Sequence, residues 1–364
     1  MKKIGILTFH RAENYGAVLQ AYALQYYLNL ETDCTAEVID YRSPFIEEYY
    51  KIFSINSVFS LNKWKRIAFT ILNNGSLKSK RRIFDDFIGK NINMSTKSFD
   101  SNDVSLTNEI YDSFICGSDQ IWSPYSAGFD ETYFLTFIKD SSLKNSYAAS
   151  FGVDKIPNNL KLEYNSRLEK FNHISVREEV GVRLVKELAN KKSEVVLDPT
   201  LLLSKQQWKE IISDKSIIDR KYVLVYLIAE TKEILSLAKK IAKEADAEVV
   251  YINDNIYKTK GVINFNNCSP EQWLNLFYYA DYVVTNSFHG IAFSINFRKK
   301  FSVQYLPEPA KVNSRISNIL SAYELNGRID CDNYEELNYT IIEPLITKDI
   351  HNSKKFIEKI IGEI

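Results

Sequence analysis

The sequence predicts an α/β protein built from two Rossmann-like domains. Three observations carry that expectation. Short apolar runs alternate with amphipathic segments along the chain. Most of those runs end in glycine or small polar residues before the next helix-like stretch, which is the rhythm of parallel βα units. The length of 364 residues corresponds to about two domains at roughly 150 residues each.

The first series begins with Ile4–Phe9, a buried strand followed by the turn signal Asn14-Tyr15-Gly16 and a helical spacing over Ala17–Leu28. Ala36–Tyr41 is a second strand. Further strands are Phe114–Cys116, ending in Gly117-Ser118-Asp119; Ser146–Phe151, ending in Gly152; His173–Val176, ending in Arg177-Glu178-Glu179; and Val195–Leu197, ending in Asp198-Pro199. The stretch from Ser43 to Asp103 is less regular and reads as a helical insertion. A second series starts near residue 220. Tyr222–Ile228, Glu248–Ile252, Tyr282–Thr285 and Phe301–Tyr305 are its strands; Lys232–Ala245 and Pro270–Tyr279 are its helices. The expected division is 1–205 for the first domain, with its insertion near 43–103, and 206–364 for the second, closed by a helix over Asn352–Ile364.

Composition narrows the function. Forty-five per cent of the residues are hydrophobic, too many for a disordered chain. Lys+Arg and Asp+Glu both number 46, so no net field favours nucleic acid. The zero is an average, however. Residues 62–82 hold seven basic residues and no acid, with Ile67, Phe69, Ile71 and Leu72 among them. Such a stretch is either a solvated helix face or a contact for anionic lipid. Cys34, Cys116, Cys268 and Cys331 form no Cys-x-x-Cys pair, so we expect buried free thiols in a reducing compartment and no metal site. The N-terminus has no signal-peptide pattern and no uncharged apolar run reaches 18 residues, so the expectation is a cytoplasmic protein.

In open parallel sheets, ligands bind beyond the carboxyl ends of the strands. That rule selects four polar runs. Asn14, Tyr15 and Gly16 open a helix whose amides can hold an anion; the ordinary alternative is a plain strand-to-helix turn. Ser118 and Asp119 place a hydroxyl and a carboxylate at one strand end, able to engage a sugar hydroxyl or to cap the next helix. Arg177 can grip a carboxylate or phosphate bidentately, or simply pair with Glu178 or Glu179. The sharpest run is Thr285-Asn286-Ser287-Phe288-His289-Gly290. There a strand runs into an amide, a hydroxyl, an imidazole able to move protons near neutral pH, and a glycine that aims a helix N-terminus at an anion. Asp198-Pro199 reads as a turn at the domain junction. Arg298, Arg315 and Arg328 are cations without a motif, and His10 and Arg11 are second-rank candidates at the first strand end.

These runs, in this order, resemble the polysaccharide pyruvyl transferase family. The likeness rests on Asn14-Tyr15-Gly16-Ala17, Gly117-Ser118-Asp119-Gln120-Ile121-Trp122, Ser175-Val176-Arg177-Glu178, Asp198-Pro199-Thr200 and Ser287-Phe288-His289-Gly290. Asn313-Ser314-Arg315-Ile316 and Gly327-Arg328 resemble its C-terminal signature. The resemblance implies two Rossmann-like domains facing a cleft, as in GT-B glycosyltransferases. It implies transfer of pyruvyl from phosphoenolpyruvate to two hydroxyls of a sugar, making a cyclic ketal and releasing phosphate. The acceptor it implies is a precursor of a cell-surface polysaccharide such as an exopolysaccharide. If that precursor is lipid-linked, the protein would work at the inner face of the membrane, and the basic stretch 62–82 is its candidate contact. Phosphoenolpyruvate is the donor substrate and no separate cofactor is implied.

By the same resemblance His289 is the general acid/base and Arg177 the anion-binding arginine, with Asp119 a candidate for the acceptor hydroxyl. Asn14, Tyr15, Gly16, Ser118, Asn286, Ser287, Gly290, Arg298 and Arg315 are the expected substrate contacts. One departure stands out: some family members carry Arg where this chain has Ser287, and Arg298 or Arg315 would have to replace that cation. Two other functions fit the residues. A nucleotide-sugar glycosyltransferase would use Glu271 or Asp281 for a ribose, and a non-catalytic sugar-binding protein would need neither.

Overall fold

The computed structural model describes residues 1–49, 78–126, 129–253, 258–306, 313–334 and 336–363. The basic stretch lies outside the described residues except for 78–82, so its expected lipid contact does too. The chain divides into two compact units, Met1–Leu202 with Asp349–Ile364, and Leu203–Lys348.

In the first unit the strands are β1 (Lys2–Leu7), β2 (Cys34–Val38), β3 (Ser113–Cys116), β4 (Lys144–Ala149), β5 (His173–Val176) and β6 (Glu194–Val195). They pair in the order β2-β1-β3-β4-β5-β6, and every pairing is parallel. The apolar runs read from the sequence are these strands, with ends displaced by at most three residues. Both faces of β3 and β4 are buried, which is why no alternation of apolar and polar residues marks them. Helix α1 (Tyr15–Glu31) follows β1, and its N-cap Asn14 accepts a hydrogen bond from the Ala17 amide. Short helix α2 (Pro44–Tyr49) and helix α3 (78–91) are described helices of the insertion, and Met94 and Phe99 after them bridge to Val38 and Tyr41. Helices α4 (Lys161–Leu168) and α5 (Glu179–Ala189) follow β4 and β5. Trp122 is fully buried in the core between β3 and α4, stacked on Phe134 at 5.6 Å and flanked by Phe151 and Phe171.

The second unit opens with α6 (Lys205–Lys209), where Ser204 and Gln207 form a reciprocal capping box. Its strands are β7 (Tyr222–Tyr226), β8 (Glu248–Ile252), β9 (Ile263–Phe265), β10 (Tyr282–Thr285) and β11 (Lys300–Val303), in the parallel order β11-β10-β7-β8-β9. Its helices are α7 (Lys232–Glu244), α8 (Pro270–Tyr279), α9 (Phe288–Asn296) and α10 (Asn313–Ala322). Trp208 and Trp273 pack against Phe293 of α9 at 5.1 and 5.0 Å. The three described tryptophans are therefore spent in cores and offer no face to a sugar.

The last helix, α11 (Tyr339–Gly362), corrects the expected division. Its residues from Asp349 onward cluster with the first unit. The reason is local: Phe356, Ile357 and Ile360 are buried, Phe356 meets Tyr147 of β4, and the Leu197 amide donates to Ser353 Oγ at 2.9 Å. Among the described residues no helix is long and apolar enough to cross a membrane.

Candidate functional site

Each sheet has one place where the strand order reverses direction, and there the loops diverge and leave a crevice. In the first sheet it falls between β1 and β3; in the second, between β7 and β10. The strongest motifs of the sequence sit at these two positions.

At the first reversal, Gly117 leaves β3 with φ +117, and a Cβ there would overlap the Tyr147 carbonyl oxygen. Asp119 follows in the left-handed region at φ 70; its carboxylate turns back to accept from the Gln120 amide at 2.8 Å. The chain is held by a buried polar net. Thr8, just past β1, donates to the Ser118 carbonyl at 3.1 Å and accepts from Gln20 of α1 at 2.8 Å. Gln20 Oε1 in turn accepts from the Ser118 amide at 3.0 Å. Ser118 Oγ donates to the Ala148 carbonyl at 2.9 Å and lies 3.2 Å from Asp198 Oδ2.

Arg177 stands at the centre of this net, its side chain 1% exposed. Its Nε donates to Glu178 at 3.0 Å and its Nη1 to Asp198 at 2.9 Å; Asp119 Oδ1 lies 3.9 Å from Nη1. Burial works against the charged guanidinium, but Glu178, Asp198 and Asp119 outweigh it and hold its pKa above the ordinary arginine value. Ser150 donates to Glu178 at 3.0 Å, and Asp198 also caps the turn Pro199–Leu201 through the Thr200 amide. Asp198 is thus more than the junction turn that the sequence suggests: it is a buried partner of Arg177. One guanidinium faces three carboxylates. The pairing with Glu178 is the ordinary alternative that the sequence offers for Arg177, and Asp198 joins it from a distance in the chain.

Asn14, Tyr15 and Gly16 start α1 close by in sequence. Asn14 is occupied as the cap, and the Tyr15 ring packs on Phe84 of α3 at 5.1 Å. His10 and Arg11 form a separate cluster at the end of β1 around the buried Asp40, which accepts from His10 Nε2 at 3.1 Å and from Arg11 at 2.9 and 2.8 Å. Burial opposes ionisation of Asp40, yet the hydrogen bonds from His10 and Arg11 prevail and hold its carboxyl well below the usual range.

The reversal in the second sheet is neutral in character. Thr285 ends β10 and donates to the Tyr226 carbonyl at 2.6 Å. Asn286 reaches across to the loop after β7, accepting from the Ile228 amide at 2.8 Å and donating to the Ala229 carbonyl at 2.7 Å. Ser287 is the N-cap of α9, its Oγ accepting from the Gly290 amide at 3.4 Å. Gly290 lets the helix close onto the strand, since a Cβ would overlap Thr285 Oγ1. His289 is therefore the second residue of a buried helix, 8% exposed, edge-on to Phe288 at 5.2 Å.

The expected cations separate. Arg315 is in the first turn of α10, after the carboxyl end of β11, and is half-buried. Arg298 precedes β11, at the amino edge of the same sheet, where it pairs with Glu343. It is removed from the His289 region by the length of the strand, so it does not replace the missing arginine at Ser287. Arg328 is a buried structural residue, donating to the Phe301 carbonyl and the Tyr282 hydroxyl. Asp281 also lies at the amino edge, accepting from the Tyr222 amide. The sequence reading misses Thr8 because it runs the first strand through Phe9, and it misses Gln20 because that residue lies inside α1; a glutamine within an apolar helix is the signal that points to the pair.

Two doubly wound parallel sheets, each with a polar cluster at its strand-order reversal, define a two-unit Rossmann-like α/β protein. The chain belongs to the polysaccharide pyruvyl transferase family, whose sequence profile matches residues 14–303. No curated protein sequence gives a significant match. Among solved structures, the chain is similar to the UDP-GlcNAc 2-epimerase of Neisseria meningitidis, with 11% identity, TM-score 0.48 and full coverage of both chains. It is similar to the UDP-GlcNAc 2-epimerase of Methanocaldococcus jannaschii at 11% identity and TM-score 0.49, over 99% of each chain. The E. coli heptosyltransferase WaaC matches at 9% identity and TM-score 0.38, over 85% of this chain and 90% of that one.

Proposed function

We propose that this protein transfers pyruvyl from phosphoenolpyruvate to two hydroxyls of a sugar, forming a cyclic ketal. The observation that carries the reading is His289 at the start of α9, at the second sheet's reversal, inside a chain of this family. The chemistry asks for a proton on the enol methylene, which makes the adjacent carbon electrophilic. One hydroxyl then attacks that carbon and loses its proton; phosphate leaves, and the second hydroxyl closes the ketal and loses its own. The balance is one proton taken up by carbon and two given up by hydroxyls, the surplus passing to phosphate. His289 is assigned the proton transfers, and the buried start of α9 suits an anionic donor. Asp119 is assigned to an acceptor hydroxyl. Arg177 is assigned to positioning Asp119 and Asp198 from inside the carboxylate cluster. The proposed acceptor is a precursor of a cell-surface polysaccharide.

The test is direct. Purified protein is mixed with phosphoenolpyruvate and a panel of sugars; phosphate release is followed, and products are weighed by mass spectrometry for one pyruvyl ketal. The reading predicts acceptor-dependent phosphate and the ketal mass. Binding of a nucleoside diphosphate sugar with no response to phosphoenolpyruvate would overturn it.

A further inference from the structure

The first unit holds a second polar concavity, away from the Arg177 cluster, with a different chemistry. It encloses about 580 Å³. Its aromatic lining comprises Phe45 of α2, Phe137, and Tyr41, which lies three residues past β2 and is buried. Phe45 is 42% exposed, an apolar ring turned to solvent. Asp130, Thr132 and Thr136 are among its polar lining. The described residues lining it include no Lys, Arg or His, while Asp130 and its neighbour Glu131 are both acidic.

The polar groups are held in place. The Tyr41 hydroxyl donates to Asp130 Oδ2 at 2.8 Å and accepts from Thr132 Oγ1 at 2.9 Å. Asp130 Oδ1 accepts from the Thr132 amide at 2.9 Å. The Tyr41 ring meets Tyr133 edge-on at 5.8 Å, and Tyr133 meets Phe9 at 5.0 Å, so Tyr41 is braced against the core. Burial, with the Asp130 charge beside it, keeps the Tyr41 phenol protonated well above its ordinary range. A carboxylate has about four lone-pair sites, so Asp130 retains acceptor capacity after these two bonds. Thr136 Oγ1 donates to the Glu131 carbonyl at 3.2 Å and keeps its lone pairs for an incoming hydroxyl.

An exposed aromatic ring, fixed acceptors and hydroxyls, and no cation among the described lining residues suit one ligand class. A sugar ring offers apolar C–H faces to rings and hydroxyls to carboxylates. Glu131 is paired with Arg167 at 3.9 Å, and the Asp130 carboxylate disfavours phosphate and carboxylate. We propose that this concavity binds an uncharged pyranose residue, and that in the transferase it holds a residue of the acceptor other than the one whose hydroxyls react. The second clause rests on the function proposed above; the first does not.

Saturation-transfer NMR with the methyl glycosides of glucose, galactose, mannose and N-acetylglucosamine tests the first clause on the full chain. At least one glycoside is expected to bind, to be indifferent to added inorganic phosphate, and to lose affinity about five-fold or more in Phe45→Ala. Thr136→Val, which keeps the side chain's shape, is the second variant and decides the matter if Phe45→Ala does not fold. No binding by any glycoside, or unchanged binding in a folded variant, overturns the proposal. With phosphoenolpyruvate and a working acceptor, Phe45→Ala should raise the acceptor KM about five-fold or more and leave the phosphoenolpyruvate KM unchanged. A smaller rise, or a parallel rise in both, removes the acceptor role. Sugar binding lost in Phe45→Ala without any turnover of phosphoenolpyruvate would sink the transferase reading and leave the sugar site standing.

Discussion

The two strand-order reversals do the same geometric job with opposite materials. In the first unit the loop after β3 is held by ionised side chains: Arg177 with Glu178, Asp198 and Asp119, wrapped by Ser118, Ser150, Thr8 and Gln20. In the second unit the loop after β10 is held by neutral groups and by backbone: Thr285, Asn286 and Ser287, with Gly290 pressed against the strand. A charge cluster is rigid only while it is complete, because each buried ion depends on its partners. A neutral net degrades one hydrogen bond at a time. The first reversal should therefore fail abruptly on mutation and the second gradually.

The largest effect expected is at Arg177. Arg177→Met leaves three carboxylates around an apolar side chain, and the loss should reach about 3–5 kcal/mol. Urea unfolding would show it as a lower midpoint at unchanged slope. A loss near zero would mean that water already reaches the cluster and that the contrast between the two reversals is false. Gly290→Ala comes next. Its Cβ overlaps Thr285 Oγ1, so the helix must lift from the strand at a cost of about 1–3 kcal/mol. The same titration checks this, and the crystal structure of the variant would show His289 displaced. Asn286→Ala removes both bonds to the loop after β7 and should cost about 1–2 kcal/mol, within the range for unpaired backbone groups. Hydrogen exchange at the Ile228 amide is the sensitive readout: it should quicken, while amides of the first unit stay as they were.

An effect read through pH lies at the amino edge of the second sheet. Burial, together with Lys205, pulls the Lys299 pKa down from 10.5 to about 8, with Asp281 opposing. Between pH 8 and 10.5 the unfolded chain then binds more protons at this residue than the folded one. Its contribution to stability should rise with pH across that window. The difference in unfolding midpoint between wild type and Lys299→Met, followed over that window, isolates the effect; a flat difference would show that Lys299 is solvated in the fold.

Much of the fold is legible in the order of the amino acids. The strands at His173–Val176, Glu248–Ile252 and Tyr282–Thr285 and the helix Pro270–Tyr279 have the bounds that the apolar runs and the Ser-Pro start suggest. The polar runs are recognisable because parallel strands end in loops at one edge of a sheet. What escapes the sequence is what depends on distant partners. The Ser118–Gln20 bond spans 98 residues and the Ser118–Asp198 bond 80, and no local pattern records either. Arg298 is near His289 in sequence, yet one helix carries the chain from the carboxyl edge of the sheet to its amino edge. Strand β9 is three residues with a polar centre, too short for periodicity to register. The docking of residues 349–364 on the first unit follows from Phe356 and Ser353 finding partners in β4 and the strand-end loop at Leu197, which an amphipathic pattern cannot disclose.

The central claim is that His289 moves protons in transfer from phosphoenolpyruvate. The measurement that meets it most directly is steady-state phosphate release by wild type, His289→Ala and Asp119→Asn, with phosphoenolpyruvate and an acceptor that yields the ketal mass. Loss of a positioned general acid/base should lower kcat by about 10²–10⁴-fold in His289→Ala with the unfolding midpoint little changed, and Asp119→Asn should fall as well. Full phosphate release and ketal formation by a folded His289→Ala would contradict the account.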